Sequence, residues 1–360
     1  MSISGRARPD LLVGAAVVGL VVVAALALAW LAHRPGGGVP APRSCHPPAP
    51  LALPALSVLP AGLAVGISPG ADVEHLTPSA LAREFGSMRS AGARWVRLDV
   101  FWPDAEPAPG RYYFCQFDNE MVQARKAGLS VLLVMTYGPD WSRSHEADFA
   151  GFAGVVARRY SGLGINEFEI WNEPNLGANW WGGRADPAGY TGLLRAGAGA
   201  IHQVDPAAVV VAGALAESSG GSGNLTPGSF LSGMYAAGAK GSYQALSVHP
   251  YSFPAPPVAG DPANGWSLVR TTRALMAAHH DPAGLWLTEY GAPTGPNGVS
   301  DAQQATEIAG AFRLSRTTPG VRALFIFEWI DNSYDPAFGL LDGDGTAKPS
   351  LRTFTDEAAR

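Results

Sequence analysis

What most constrains this chain is a repeat. From Leu63 onward, short apolar runs alternate with longer amphipathic stretches. The runs are 63–68, 95–100, 131–135, 168–172, 209–213, 246–250, 285–289 and 324–329, eight in all. They are apolar at nearly every position, as strands covered on both faces must be. Between them, stretches 79–91, 118–127, 146–160, 187–204, 226–239, 266–280 and 301–317 carry helical spacing. Thr77-Pro78, Asp186-Pro187 and Thr226-Pro227 each put a capping side chain before a proline. Proline suits the first turn of a helix because the N–H it lacks would have no partner there. Strands alternating with helices imply βα units and a parallel sheet. Eight such units over residues 60–360 predict an α/β fold, a closed (β/α)8 TIM barrel. An open doubly wound sheet is the alternative, but no glycine-rich nucleotide loop joins the first strand to the first helix.

In such a barrel the functional groups hang from the C-terminal ends of the strands. Read in order, those ends supply Arg97 and Asp99, Trp102, Tyr137, Asn172 and Glu173, His249 and Tyr251, Glu289 and Tyr290, and Trp329 with Asp331. Glu173 and Glu289 end strands 4 and 7, on opposite sides of an eight-stranded barrel, so they can face each other across its mouth. Two carboxylates so placed suit acid/base and nucleophilic chemistry at a glycosidic bond. Arg97 can neutralise the nucleophile, and Asn172 can hydrogen-bond a sugar hydroxyl. Trp102, Tyr137, Trp180, Trp181, His249, Tyr251 and Trp329 are candidate sugar contacts, the aromatic ones as flat platforms. Asp99 can also be read as a neutraliser of a buried Arg97. Glu106 reads as loop scaffold, and Asp342-Gly343-Asp344-Gly345 as a turn before the last helix, because the remaining ligands of a calcium loop are missing. No metal and no organic cofactor is expected.

Composition narrows the partners. The net charge is −5 and no Lys/Arg run is present, which argues against nucleic acid. Residues 11–32 form an uncharged apolar segment of 22 residues, preceded by Arg6 and Arg8. A spanning helix needs about 20 residues, whereas a secretory core has about 7–15. The expectation is a cytoplasmic 1–10, a transmembrane signal anchor at 11–32, a Pro/Ala/Gly-rich linker at 33–59 and an extracytoplasmic barrel. Cleavage after Ala29, giving a secreted protein, is the alternative. The chain has two cysteines, Cys45 in the linker and Cys115 after the second strand. In an oxidising compartment they can form a disulfide that ties linker to domain.

Trp171-Asn172-Glu173-Pro174 resembles the acid/base signature of the retaining glycoside hydrolases that carry catalytic glutamates on strands 4 and 7, and Thr288-Glu289-Tyr290-Gly291 resembles their nucleophile strand. The segment from Phe101-Trp102-Pro103 to Pro109-Gly110-Arg111-Tyr112 is similar to the region after strand 2 in family 39 and in cellulase-like family 5. Gly339-Leu340-Leu341-Asp342 with Lys348-Pro349 is similar to the usual run into the last helix. One departure from family 5 is Tyr137, which stands after strand 3 where that family has a histidine. The resemblance implies a retaining glycosidase, closest to family 39, acting on a polysaccharide or oligosaccharide. It also implies double displacement, with Glu289 as nucleophile and Glu173 as acid/base, and internal cleavage is expected. The same site would transglycosylate if a sugar hydroxyl replaced water. A catalytically silent, membrane-anchored carbohydrate-binding protein is the rival reading.

Overall fold

A computed structural model of the protein describes residues 46–51, 62–70, 73–74, 76–142, 146–332 and 337–360. Its strands are β1 Ala64–Ser68, β2 Trp95–Phe101, β3 Ser130–Thr136, β4 Glu167–Asn172, β5 Val209–Ala216, β6 Ala245–His249, β7 Gly284–Tyr290 and β8 Val321–Phe327. They pair in sequence order, all parallel, and β1 also pairs with β8, so the barrel is closed. Around it lie α1 Pro78–Ser90, α2 Cys115–Lys126, α3 Glu146–Tyr160, α4 Pro187–Val204, α5 Pro227–Ala236, α6 Ser267–Ala278, α7 Asp301–Thr317 and α8 Pro349–Ala358.

Each of the eight expected runs falls on a strand. The main differences are at their ends. β8 starts at Val321 rather than 324 because its second residue, Arg322, is exposed and interrupts the apolar signal. β5 runs on to Ala216 through a register shift after Ala212. The expected caps form: Thr77 accepts from the Ala80 amide, Asp186 from those of Ala188 and Gly189, and Thr226 from that of Ser229. The turn at Asp342 also forms, with the Gly345 amide donating to the Asp342 carbonyl at 2.8 Å.

Two apolar layers hold the barrel. The larger lies between sheet and helices. The smaller fills the floor inside the barrel with Ala64, Trp95, Leu132, Val211, Ala245, Trp286, Ala323 and Phe325. Trp286 meets Trp95 edge-on at 5.9 Å and stacks on Phe325 at 6.4 Å. Gly66 leaves room for that packing, since a Cβ there would lie 2.4 Å from the Phe325 ring. A plugged floor confines chemistry to the C-terminal mouth.

The expected anchor at 11–32 lies outside the described residues, as does most of the linker. Among the described residues, no helix is long and apolar enough to cross a membrane. Residues 46–51 of the linker lie against the barrel. The Leu51 amide donates to the Gly162 carbonyl at 3.3 Å, and Arg159 donates to the His46 carbonyl at 3.4 Å. Arg159 also grips Asp118 of α2 with two bonds of 2.7 and 2.6 Å. Cys115 opens α2 one turn before Asp118 and is not a free thiol; Cys45 lies outside the described residues.

Candidate active site

The site is set by a kink at the end of β4. Alternation along Glu169-Ile170-Trp171-Asn172 would turn Glu169 and Trp171 inward and Asn172 outward. Trp171 instead has φ 79°, a left-handed conformation that β-strands avoid. Its indole leaves the barrel and packs among Trp180 at 5.0 Å, Trp181 at 4.8 Å and Phe149 at 6.3 Å. Its Nε1 donates to the Asn179 carbonyl at 2.8 Å. Asn172 is thereby turned toward the barrel axis. Glu173 follows with φ 49°, also left-handed. The kink leaves backbone groups in need of partners, and α4 supplies one. The Tyr190 hydroxyl donates to the Ile170 carbonyl at 2.9 Å and accepts from the Gly213 amide. Gly213 is obligatory here, because a Cβ would lie 2.4 Å from the Ile170 carbonyl oxygen. Asn175 then fastens the outgoing loop, bonding both the amide and the carbonyl of Ala216 at 2.9 Å.

Arg97 is the hub of the polar cluster. Its Nε donates to Glu169 at 2.7 Å, Nη1 to Glu289 Oε1 at 2.7 Å and Nη2 to Asn172 at 2.8 Å. Glu289 Oε2 accepts from the Tyr251 hydroxyl at 2.8 Å. Glu289 is thus met by donors on both oxygens. Across the mouth, Glu173 Oε1 lies 2.9 Å from His249 Nδ1, and that same nitrogen is 3.5 Å from Glu289 Oε2. Asn179 reaches Glu173 Oε2 at 3.5 Å, and Asn172 donates to the Tyr137 hydroxyl at 3.0 Å. The side chains of Glu173 and Glu289 are each 13 % exposed, whereas Arg97 is 2 % and His249 0 %, so the two glutamates are the charged groups of this set that can meet a substrate.

Below them is a buried layer that the sequence did not signal as functional. Glu169, fully buried, also accepts from Ser247 and, at 3.1 Å, from Thr288. Arg97 therefore draws its counter-charges from Glu169 and Glu289. The expected pairing with Asp99 is not a hydrogen bond. Asp99 is a half-buried carboxylate that burial pushes up to about 6, against the opposing pull of Arg97. For His249, burial works downward, but Glu289 and Glu173 outweigh it and raise the imidazole above its usual range. Glu173, His249 and Glu289 each offer a ligand atom within 4.8 Å of the other two, a spacing that a metal could use. Arg97 already supplies a positive charge to Glu289 at 2.7 Å.

Of the residues expected at the site, Arg97, Tyr137, Asn172, Glu173, His249, Tyr251 and Glu289 come together. Three tryptophans do not. Trp102 is fully buried, stacked on Phe152 at 5.3 Å, and its Nε1 donates to Glu106, the expected scaffold residue, at 2.8 Å. Trp329 is buried and donates to Glu84 of α1 at 2.9 Å, on the helix side of the sheet. Trp180 is buried against Trp171 and Tyr190. Each is better paired in the core than as an open platform. Trp181 stays half-buried, its ring against Gly138. The residues missed were Glu169, Ser247 and Thr288. The available signal was a charge at an inward position of an otherwise apolar strand, which must find a buried partner.

No family model matches the chain, and no curated protein matches it. Solved structures do. A family 39 glycoside hydrolase from the gut symbiont Bacteroides cellulosilyticus WH2 superposes with a TM-score of 0.64 at 24 % identity, over 83 % of this chain and 64 % of that one. The chain shares the fold of the family 39 and family 5 glycoside hydrolases. A monomeric β-xylosidase from Caulobacter crescentus CB15 gives 0.62 at 18 % identity, over 82 % of this chain and 69 % of its own. A subfamily 5_18 enzyme from Streptomyces cattleya, in complex with Manβ1-4GlcNAc, gives 0.62 at 15 %, over 83 % and 80 %. The closed barrel expected from the eight strand–helix repeats is the fold observed.

Proposed function

We propose that this chain is a retaining glycoside hydrolase that cleaves a cell-envelope or extracellular polysaccharide internally by double displacement. One observation carries the mechanism: an oxygen of Glu173 and an oxygen of Glu289 approach within 4.8 Å, with His249 beside both. Retaining enzymes hold their carboxyl groups about 5–5.5 Å apart, whereas inverting ones leave about 6.5–9.5 Å for a water. In the first step a Glu289 oxygen attacks the anomeric carbon as its bond to the leaving oxygen breaks, and that oxygen takes a proton from Glu173. In the second, water attacks the anomeric carbon, gives its proton to Glu173, and the ester to Glu289 breaks. Asn172 carries its amide between Arg97 and Tyr137, at the height of the nucleophile, where a sugar hydroxyl would lie. The half-buried Asp99 carboxyl offers a further acceptor. The solved structures of this fold include a β-xylosidase and an enzyme in complex with Manβ1-4GlcNAc, which supports a β-linked substrate. Location outside the cytoplasm rests on the apolar segment 11–32.

The test is a screen of the purified protein against β-linked polysaccharides and aryl β-glycosides. Release of reducing ends that stops with Glu289→Gln supports the proposal, and oligosaccharide products without monosaccharide mark internal cleavage. Saturable binding with no release would favour the silent carbohydrate-binding barrel, and longer products from an added acceptor sugar would mark transglycosylation.

A further inference from the structure

The buried layer beneath the two glutamates dictates where protons sit. Glu169 accepts from Arg97 Nε at 2.7 Å and from Thr288 at 3.1 Å, while the single proton of the neighbouring Ser247 hydroxyl is shared between Glu169 and the Ala212 carbonyl at 2.7 Å. Thr288 has one hydroxyl proton, and at 3.1 Å it points to Glu169. Its oxygen is therefore an acceptor toward His249 Nε2, 3.2 Å away. His249 must then carry a proton on Nε2. Its other nitrogen, Nδ1, lies 2.9 Å from Glu173 Oε1. A bare imidazole lone pair facing a bare carboxylate oxygen at that distance would repel. One proton has to lie between them, on either atom.

We propose that Thr288 and Glu169 are positioning residues that lock His249 with a proton on Nε2, so that the proton shared between His249 Nδ1 and Glu173 Oε1 is the one delivered to the leaving oxygen. This deepens the glycosidase reading and rests on it. Without the lock, a neutral imidazole could move its proton to Nδ1 and donate to an ionised Glu173, leaving no proton for the leaving group. With the lock, Glu173 and His249 gain and lose that proton as a unit. The groups facing His249 are Glu173 from β4, Glu289 from β7, Tyr251 beyond β6, and Arg97 and Asp99 from β2. Glu289 and Glu173 favour the doubly protonated imidazole, while Arg97 and burial oppose it. The relay therefore acts on the alkaline side of the pH profile, where the shared proton leaves.

Thr288→Val removes the acceptor and keeps the side chain's shape, whereas Thr288→Ser keeps the hydroxyl. The first readout needs no substrate. Imidazole 15N chemical shifts, with His249 assigned by its loss in His249→Asn, should show a protonated Nε2 in the wild type and in Thr288→Ser. In Thr288→Val at high pH they should show a protonated Nδ1. The second readout is the pH dependence of kcat/KM on aryl glycosides. Thr288→Val should move the alkaline limb down by about one unit and slow poor leaving groups at least about tenfold more than activated ones, and Thr288→Ser should restore both. A neutral wild-type His249 protonated on Nδ1 would overturn the proposal, as would an unmoved alkaline limb in Thr288→Val. If the chain cleaves no glycoside, the function reading fails while the 15N result still decides the relay.

Discussion

Burial pushes the Asp99 carboxyl up to about 6; Arg97 opposes that shift, and Glu289 and Glu169 add to it. The fold therefore prefers Asp99 protonated. Below the ordinary aspartate range the folded and unfolded states both hold the proton and no difference arises. Between the ordinary aspartate range and about 6 the unfolded chain gives up this proton while the folded state keeps it, so stability falls as pH rises, and the loss is complete above about 6. Asp99→Asn should then stabilise the protein at pH 8 by roughly 2–3 kcal/mol, on the order of 5 °C in Tm, with the gain vanishing near pH 4. Thermal melts at both pH values check this, and a gain of equal size at both would rule it out. A carboxylate kept at such a cost in the cleft is consistent with a role toward substrate. Single residues also mark the limit of what the sequence reveals. Glu173 and Glu289 were legible because strand ends and the Asn-Glu pair single them out. Glu169 was not, since an apolar strand conceals which inward charge serves as counter-ion. Trp102, Trp180 and Trp329 escape for a related reason: an indole past a strand end looks alike whether it lines a cleft or, as these do, packs in the core.

At the level of elements, the strand–helix alternation and the proline caps make the barrel readable from the sequence. The kink in β4 was invisible, because nothing in Ile170-Trp171-Asn172 announces φ 79° at a tryptophan. It exists because α4 and β5 support it through Tyr190 and Gly213. Tyr190→Phe deletes one hydroxyl that serves the Ile170 carbonyl and the Gly213 amide, both deep in the core. Unsatisfied buried groups cost about 1–3 kcal/mol each, so the variant should melt several degrees lower. Because Asn172 and Glu173 depend on the kink, kcat should fall as well, although Tyr190 touches neither. Unchanged activity on a destabilised protein would show that the kink is held by other contacts. Gly213→Ala should be worse, since its Cβ would also sit 2.8 Å from the Trp171 carbonyl oxygen.

For the whole molecule, the barrel is one unit and residues 46–51 lie along its flank. His46 to Leu51 dock beside α2 and α3, where Arg159 ties the His46 carbonyl to Asp118. That places residues 46–51 of the linker near Cys115 and favours the bridge to Cys45. Non-reducing peptide mapping of exported protein should recover the linked pair, and two freely alkylated thiols would exclude it. A membrane anchor at 11–32 predicts that full-length protein fractionates with membranes and that its barrel is open to protease in spheroplasts. Recovery of the intact chain in the soluble cytoplasmic fraction would contradict it.

In the proposed mechanism Glu289 attacks and Glu173 protonates, on one pair of carboxylates close enough for a covalent intermediate. Glu173→Ala with an activated aryl glycoside tests it most directly. Loss of the acid should slow substrates with poor leaving groups by about 10²–10⁴-fold, while the activated substrate still forms the glycosyl ester on Glu289. Added azide should then restore turnover and yield a glycosyl azide whose anomeric configuration, read by NMR, is that of the substrate. An azide of inverted configuration, or no ester on Glu289 by mass spectrometry, would contradict the assignment of these two residues.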